Sequence, residues 1–172
     1  MDAIQLLKSA FEGSHMWYEA TIADVTAEQA NHLPPGVAHP IGELAAHILH
    51  SEDGMINMVI LGKQMIWERD GWGAKLGVPL MMDQDTAGAR AFKCHPQQLQ
   101  EYAQAVFAGT AAFLDSLTPE DLDTNKVDMT AEGVGVISLG NFLTQMLLGN
   151  NYAHTGEISA LKGMLGRKGY PF

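Results

Sequence analysis

Apolar residues recur every three or four positions in four long segments of the chain, and this spacing limits the possible folds more than any other feature. In the first segment, residues 2–23, the apolar positions are Ile4, Leu7, Phe11, Tyr18 and Ile22. Because residues three and four apart share one face of an α-helix, each segment predicts a helix with one buried stripe. The other three segments run from Pro40 to Gly62, from Pro96 to Leu117 and from about Ser138 to Leu165.

Two long interruptions separate the predicted helices. Residues 62–94 contain five glycines, and residues 121–136 are polar and also contain glycine. A short helical turn is predicted after Thr26, before the second long helix. A long connection between the second and third helices allows the two to run parallel. We therefore predict an all-α fold, a single four-helix bundle over residues 1–172 with a long crossover and an up-down-down-up order.

Composition excludes several classes of function. The formal net charge of -10, without a cluster of Lys or Arg, disfavours DNA and RNA as partners. Apolar runs such as residues 58–61 are far shorter than the roughly 20 residues of a membrane helix. The N-terminus lacks a signal pattern, so a cytoplasmic location is expected. Cys94 is the only cysteine, which excludes an internal disulfide and a thiolate-rich zinc site.

Three histidines fall on the apolar stripes of different predicted helices. His15 lies on the stripe of the first helix, His47 at the edge of the second and His154 in the middle of the fourth. At 1.5 Å per residue, the crossover order places all three within about one turn, roughly 6 Å, of the same depth. A simple up-down order would separate His47 and His154 by roughly 12 Å. The histidines and the crossover topology therefore support each other.

Inward-facing imidazoles need either hydrogen bonds or a metal ion to offset their desolvation. Neutral imidazoles from different helices suit zinc, nickel or a similar divalent ion, and His47 and His154 are the candidate ligands. The alternative is that both are core residues satisfied by hydrogen bonds. His15 is a further candidate, as a ligand or as a partner of one. We expect His50 and Glu52 on a solvated face; the remaining histidines, His32, His39 and His95, are expected at the surface in turns.

Two motifs resemble the DinB/YfiT-like superfamily of metal-binding proteins. Residues 40–52, PIGELAAHILHSE, are similar to its helix 2 signature. In that signature the motif IGxLxxH ends in a histidine, and an acid comes five residues after it. Residues 150–158, NNYAHTGEI, are similar to its helix 4 pattern, HxxxHxGQ or HxxxHxGE. Element order and length also agree over nearly the whole chain.

The resemblance implies a crossover bundle and a zinc or nickel site with one histidine from helix 2 and two from helix 4. By position, His47 and His154 would be the first and last ligands, and Asn150 stands where the middle histidine is expected. An amide oxygen is a poorer ligand for such metals than imidazole, so weaker metal binding is expected. Some relatives are thiol transferases or isomerases that use bacillithiol or mycothiol, and relatives often form homodimers.

Two hypotheses of function follow. The first is a metal-dependent enzyme of the thiol S-transferase type, with a small-molecule substrate such as a low-molecular-weight thiol, and with Glu157 as an outer partner of the site. The second is a metal-free helical bundle with a degenerate site, which binds a small ligand or a partner helix. Trp67 and Trp72 are expected to pack rather than to cover a cavity mouth. Methionines could line a pocket in the second case: Met55, Met58, Met65 and Met81.

Overall fold

The computed structural model describes residues 2–79 and 86–171, and it is mostly helical. All four predicted long helices are present within these residues. They are α1, Ala3–Ile22; α2, Ile41–Asp53; α3, Gln100–Asp115; and α4, Gly149–Met164. A short helix, Ala27–Ala30, precedes α2, and a 3₁₀ turn, Pro96–Leu99, leads into α3.

The start of α1 shows how local chemistry fixes these bounds. The Asp2 carboxylate accepts a hydrogen bond from the backbone N–H of Gln5, and the Gln5 side chain accepts one from the backbone N–H of Asp2. This reciprocal cap satisfies donors that the first helical turn leaves without partners. The predicted apolar stripe of α1 is buried throughout.

Two helical segments depart from α-helical spacing. Gly54–Ile60 continues α2 as a π-helix, and Phe142–Leu148 leads into α4 in the same form after a short helix, Leu139–Asn141. The helical path therefore spans most of the predicted second and fourth segments. The change of period within each of them was not predicted.

Each long helix packs against two others. α1 contacts α3 and α4, and α2 contacts the same two helices. Gln104 near the start of α3 bonds Glu19 near the end of α1 at 2.6 Å. Tyr152 near the start of α4 bonds the carbonyl of Ala10, in the first half of α1, at 3.2 Å. These contacts place α1 opposite α2, so that side chains from all four helices can meet in the interior.

In the arm of residues 62–94, the described residues, 62–79 and 86–94, form three short helices, Ile66–Arg69, Trp72–Leu76 and Thr86–Ala91. The buried Asp53 at the end of α2 anchors it. This carboxylate accepts bonds from the backbone N–H groups of Ile66 and Trp67 and from the Tyr102 hydroxyl, each 2.9 Å long. Both arm tryptophans are buried, as expected, whereas Met81 lies outside the described residues.

A small β-hairpin corrects the all-α prediction. Strands β1, Lys126–Met129, and β2, Gly135–Ser138, pair antiparallel after a short helix, Asp121–Thr124. Only Val127 and Met129 of this hairpin are buried, and they join the apolar cluster at that end of the molecule. Two buried positions are too few for a detectable period of two, so the polar stretch gave no strand signal. Within the described residues, no helix is long and apolar enough to cross a membrane.

Candidate functional site

His47 on α2 and His154 on α4 face each other across the contact between the two helices. Their ring centroids lie 4.7 Å apart, and the rings are nearly perpendicular at 82°. Both residues are half-buried, and the His154 side chain keeps 27% of its surface exposed. The structure thus brings together the two histidines selected from the sequence, at a place that solvent reaches.

Hydrogen bonds fix one nitrogen of each ring. Nδ1 of His154 lies 2.8 Å from a carboxylate oxygen of Glu157, one turn further along α4. Nε2 of His47 lies 3.3 Å from the hydroxyl of Ser51, one turn further along α2. A carboxylate on one ring nitrogen orients an imidazole and makes its other nitrogen a better ligand. Glu157 therefore makes the contact expected of a residue that orients the His154 ring.

The surroundings keep His47 uncharged near neutral pH. Burial lowers the pKa of His47 below its ordinary value of 6.5, and the nearby charge of His154 lowers it further. The side chain of Asn150 acts in the opposite direction. A neutral imidazole has a lone pair available for a metal ion or a hydrogen-bond donor.

Asn150 lies beside this pair on α4, as the sequence motif requires. Its side chain hydrogen-bonds to His47, and its buried Nδ2 atom has no hydrogen-bond partner among the residues that the structure describes. A buried N–H group without a partner is costly, so this nitrogen is a candidate donor to a ligand or water at the site.

His39 and Glu43 lie close to His47 and His154 and form one polar cluster with them. Sequence reasoning missed these two members. Nδ1 of His39 lies 2.9 Å from a carboxylate oxygen of the buried Glu43. Burial raises the pKa of Glu43, opposed by the hydrogen bond from His39. His39, Glu43 and His47 are spaced by four residues, which was the available signal. His39 is thus half-buried at the site and not a plain surface residue.

A cavity of about 350 Å³ adjoins the cluster between the start of α2 and the second half of α4. His39 and Glu157 contribute its polar atoms. The other lining residues are all aliphatic: Val37, Ala38, Leu44, Ala160 and Leu161. The cavity is large enough for a small substrate.

Two residues expected on a solvated face are buried. His50 is 1% exposed and packs edge-on against Trp67, with ring centroids 4.4 Å apart. Glu52 has no exposed surface and bonds Nε2 of His15 at 2.8 Å. His15 therefore pairs with Glu52 on the α1 side of the interior and was not found beside His47. His32 is exposed, as expected, and His95 caps the 3₁₀ turn before α3.

The donor set fits a metal ion only partly. Across residues 2–79 and 86–171, no three His, Cys, Asp or Glu side chains are grouped closely enough to hold an ion. The set consists of two imidazoles, His47 and His154, with the amide of Asn150 beside them. Two nitrogens and one amide oxygen can hold a borderline divalent ion, though less tightly than three imidazoles.

Comparison with known proteins assigns the chain to a family. The family model of the DinB superfamily matches residues 10–158, which include all of α1 except its first turns and every polar side chain of the candidate site. The chain belongs to the DinB superfamily. No curated protein matches this DinB-superfamily chain.

A solved structure shares the fold. It is a conserved protein from Enterococcus faecalis, to which the DinB-superfamily chain is 21% identical with a TM-score of 0.81. The match covers 97% of this chain and 99% of the other. At this identity the similarity shows the fold and carries no statement about activity.

Proposed function

We propose that this DinB-superfamily protein binds one divalent metal ion, zinc or nickel, between His47 and His154, and uses it as a thiol S-transferase-type enzyme. The observation that carries the proposal is the 4.7 Å separation of the two rings. Imidazole nitrogens lie about 2.1 Å from such ions, so two rings on one tetrahedral ion have centroids about 5 Å apart. The observed separation is compatible with a shared ion.

The helix arrangement supports the same site. The contacts of α1 with α3 and α4 support a four-helix bundle in up-down-down-up order, in which residues 62–94 would be the crossover. In that order α2 and α4 run antiparallel, so residues near the middle of both come to one depth. His47 and His154 are such residues.

The side chains around the pair have distinct roles in this proposal. His47 and His154 would hold the ion, and the amide oxygen of Asn150 would be its third, weaker protein ligand. Glu157 holds the His154 ring in one orientation through Nδ1. A bound divalent ion lowers the pKa of a thiol or water at the site, which supplies a nucleophile near neutral pH. The aliphatic cavity wall beside Glu157 would bind the substrate and exclude water.

A metal-free binding protein is the second candidate, and the presence of Asn150 favours it. In this case the two imidazoles and the Nδ2 group of Asn150 would be hydrogen-bonding groups for a small ligand in the adjoining cavity. Of the methionines considered as pocket lining, Met65 is buried in the core and Met58 is 49% exposed. None of the described methionines lines this cavity.

Titration calorimetry with zinc and nickel, on protein purified without a nickel column and stripped with a chelator, separates the two candidates. We expect one ion per chain for the native sequence and no stoichiometric binding for His154→Ala. His32→Ala, which removes an exposed histidine from a turn, is the matched control and should bind as the native protein does. Absence of binding in the native chain, or equal binding in His154→Ala, would reject the metal site in favour of the metal-free candidate.

A further inference from the structure

A second polar group lies in the interior, and the proposed metal site does not use it. The carboxylate of Glu52, from α2, is fully buried. Its Oε1 accepts a 2.5 Å bond from the Thr110 hydroxyl of α3 and lies 2.8 Å from Nε2 of His15 on α1. Its Oε2 accepts a 2.6 Å bond from the Asn151 amide of α4. One carboxylate thus joins all four long helices.

These contacts determine which nitrogen of His15 is available. Thr110 and Asn151 both donate to Glu52, which acts as an acceptor, so His15 donates its Nε2–H to the same carboxylate. In a neutral imidazole the other nitrogen, Nδ1, then carries the lone pair. No hydrogen bond joins Nδ1 to another residue of the described part of the chain.

Packing holds the ring in place. The imidazole of His15 stacks on Phe107, with centroids 3.7 Å apart and planes inclined by 13°. The Glu52 bond and this stack together restrict both ring torsions. The His15 side chain nevertheless keeps 12% of its surface exposed. An oriented acceptor that solvent reaches is characteristic of a binding group rather than a purely structural one.

A cavity of about 240 Å³ lies beside His15 between α1 and α3. Much of its lining is apolar: Phe11, Phe107, Ala111 and Leu114. The ion pair between Lys8 and Asp115 lies at its exposed edge, where the two charges compensate each other. The volume is below the usual range for drug-sized ligands and suits a molecule of one ring. Glu12, which is exposed, and Thr110 also line the cavity. The apolar wall favours an uncharged ring, and the Glu12 carboxylate disfavours an anionic ligand.

We propose that this cleft between α1 and α3 is a binding site for a small neutral aromatic compound with one hydroxyl group. The hydroxyl hydrogen-bonds to Nδ1 of His15, whose ring is held in place by the bond to Glu52 and the stack on Phe107, and the ring of the compound occupies the cavity. The site is separate from the His47 and His154 pair and does not depend on a metal ion.

Phenol is the test probe, and toluene is the matched compound without the hydroxyl. Calorimetric titration should give one phenol per chain and at least tenfold weaker binding of toluene, because only phenol can hydrogen-bond to Nδ1 of His15. His15→Phe should weaken phenol binding at least tenfold, whereas His32→Phe, an exposed control for the same change, should leave it unchanged.

Ala111→Phe tests the cavity without altering Glu52 or His15, and it should abolish binding of both compounds because the added ring occupies the space. This variant and the toluene comparison keep the test decisive even if His15→Phe does not fold. The proposal is overturned if phenol does not bind, if toluene binds equally well, or if phenol binding survives Ala111→Phe or a folded His15→Phe.

Discussion

His50 is a titratable residue placed in the apolar interior. It packs against Trp67 and Tyr102, with ring centroids 4.4 and 5.5 Å away. Burial lowers the pKa of His50 from 6.5 to about 3, and the charge of His47 adds to this effect. The folded protein therefore keeps the His50 imidazole neutral at pH values at which the same imidazole is protonated in the unfolded chain.

This difference predicts acid destabilisation. Between about pH 6.5 and pH 3 the unfolded state binds a proton at His50 that the folded state does not, so stability falls as the pH falls. The loss approaches about 1.4 kcal/mol for each pH unit. Urea unfolding between pH 4 and pH 6 should show a shallower pH dependence in His50→Leu than in the native chain. His32→Leu, at an exposed position, should keep the native slope; an unchanged slope in His50→Leu would contradict the account.

The apolar stripes placed His47 and His154 close together, as the structure does, but misplaced His50 and Glu52. The reason is that a stripe predicts which face of a helix is most buried and assumes that the opposite face meets water. α2 has no such face, because α3, α4 and the arm surround it and nearly all of its residues are buried. Polar residues there are satisfied by partners far apart in sequence, such as His15 and Asn151 for Glu52.

At the scale of elements, the first turn of α2 packs unusually closely against the end of the arm. A Cβ placed on Gly42 would overlap the carbonyl oxygen of Cys94 and lie 3.2 Å from that of Ala30. Both neighbours are backbone atoms, which cannot rotate away. This position therefore requires glycine for space, not for an unusual backbone angle.

Gly42→Ala should lower the free energy of unfolding by about 2–3 kcal/mol, as expected for overpacking of a tight contact. The matched control is Gly163→Ala in α4, where an added Cβ meets nothing within 4 Å. That change should raise stability by about 1 kcal/mol, the helix preference for alanine over glycine. Urea unfolding measures both variants. Equal effects of the two changes would show that the close approach at Gly42 is not tight.

Elements with a strong period were predictable, and those fixed by distant contacts were not. The apolar stripe predicts α1 almost to the residue, and the Asp2 cap found in the structure explains where the helix begins. The three short helices of the arm depend instead on Asp53 and on the burial of Trp67 and Trp72, which bring together residues far apart in sequence. The π-helical segments, Gly54–Ile60 and Phe142–Leu148, were likewise not predicted, because the spacing of apolar residues along the chain does not reveal them.

At the scale of the whole molecule, the helix order and the candidate site depend on each other. The DinB superfamily match and the shared fold with the Enterococcus faecalis protein account for the architecture. The architecture brings two imidazoles together and leaves Asn150 at the third position. A homodimer and a cytoplasmic location stay predictions. The central claim is that one ion is shared by the side chains of α2 and α4.

X-ray absorption spectroscopy of the zinc-loaded protein tests that claim most directly, because it counts imidazole ligands on the ion. We predict two imidazoles in the native chain and three in Asn150→His, with tighter zinc binding in the variant because imidazole is the better ligand. A native spectrum with one imidazole or none, or an imidazole count that Asn150→His leaves unchanged, would contradict a site shared by His47 and His154.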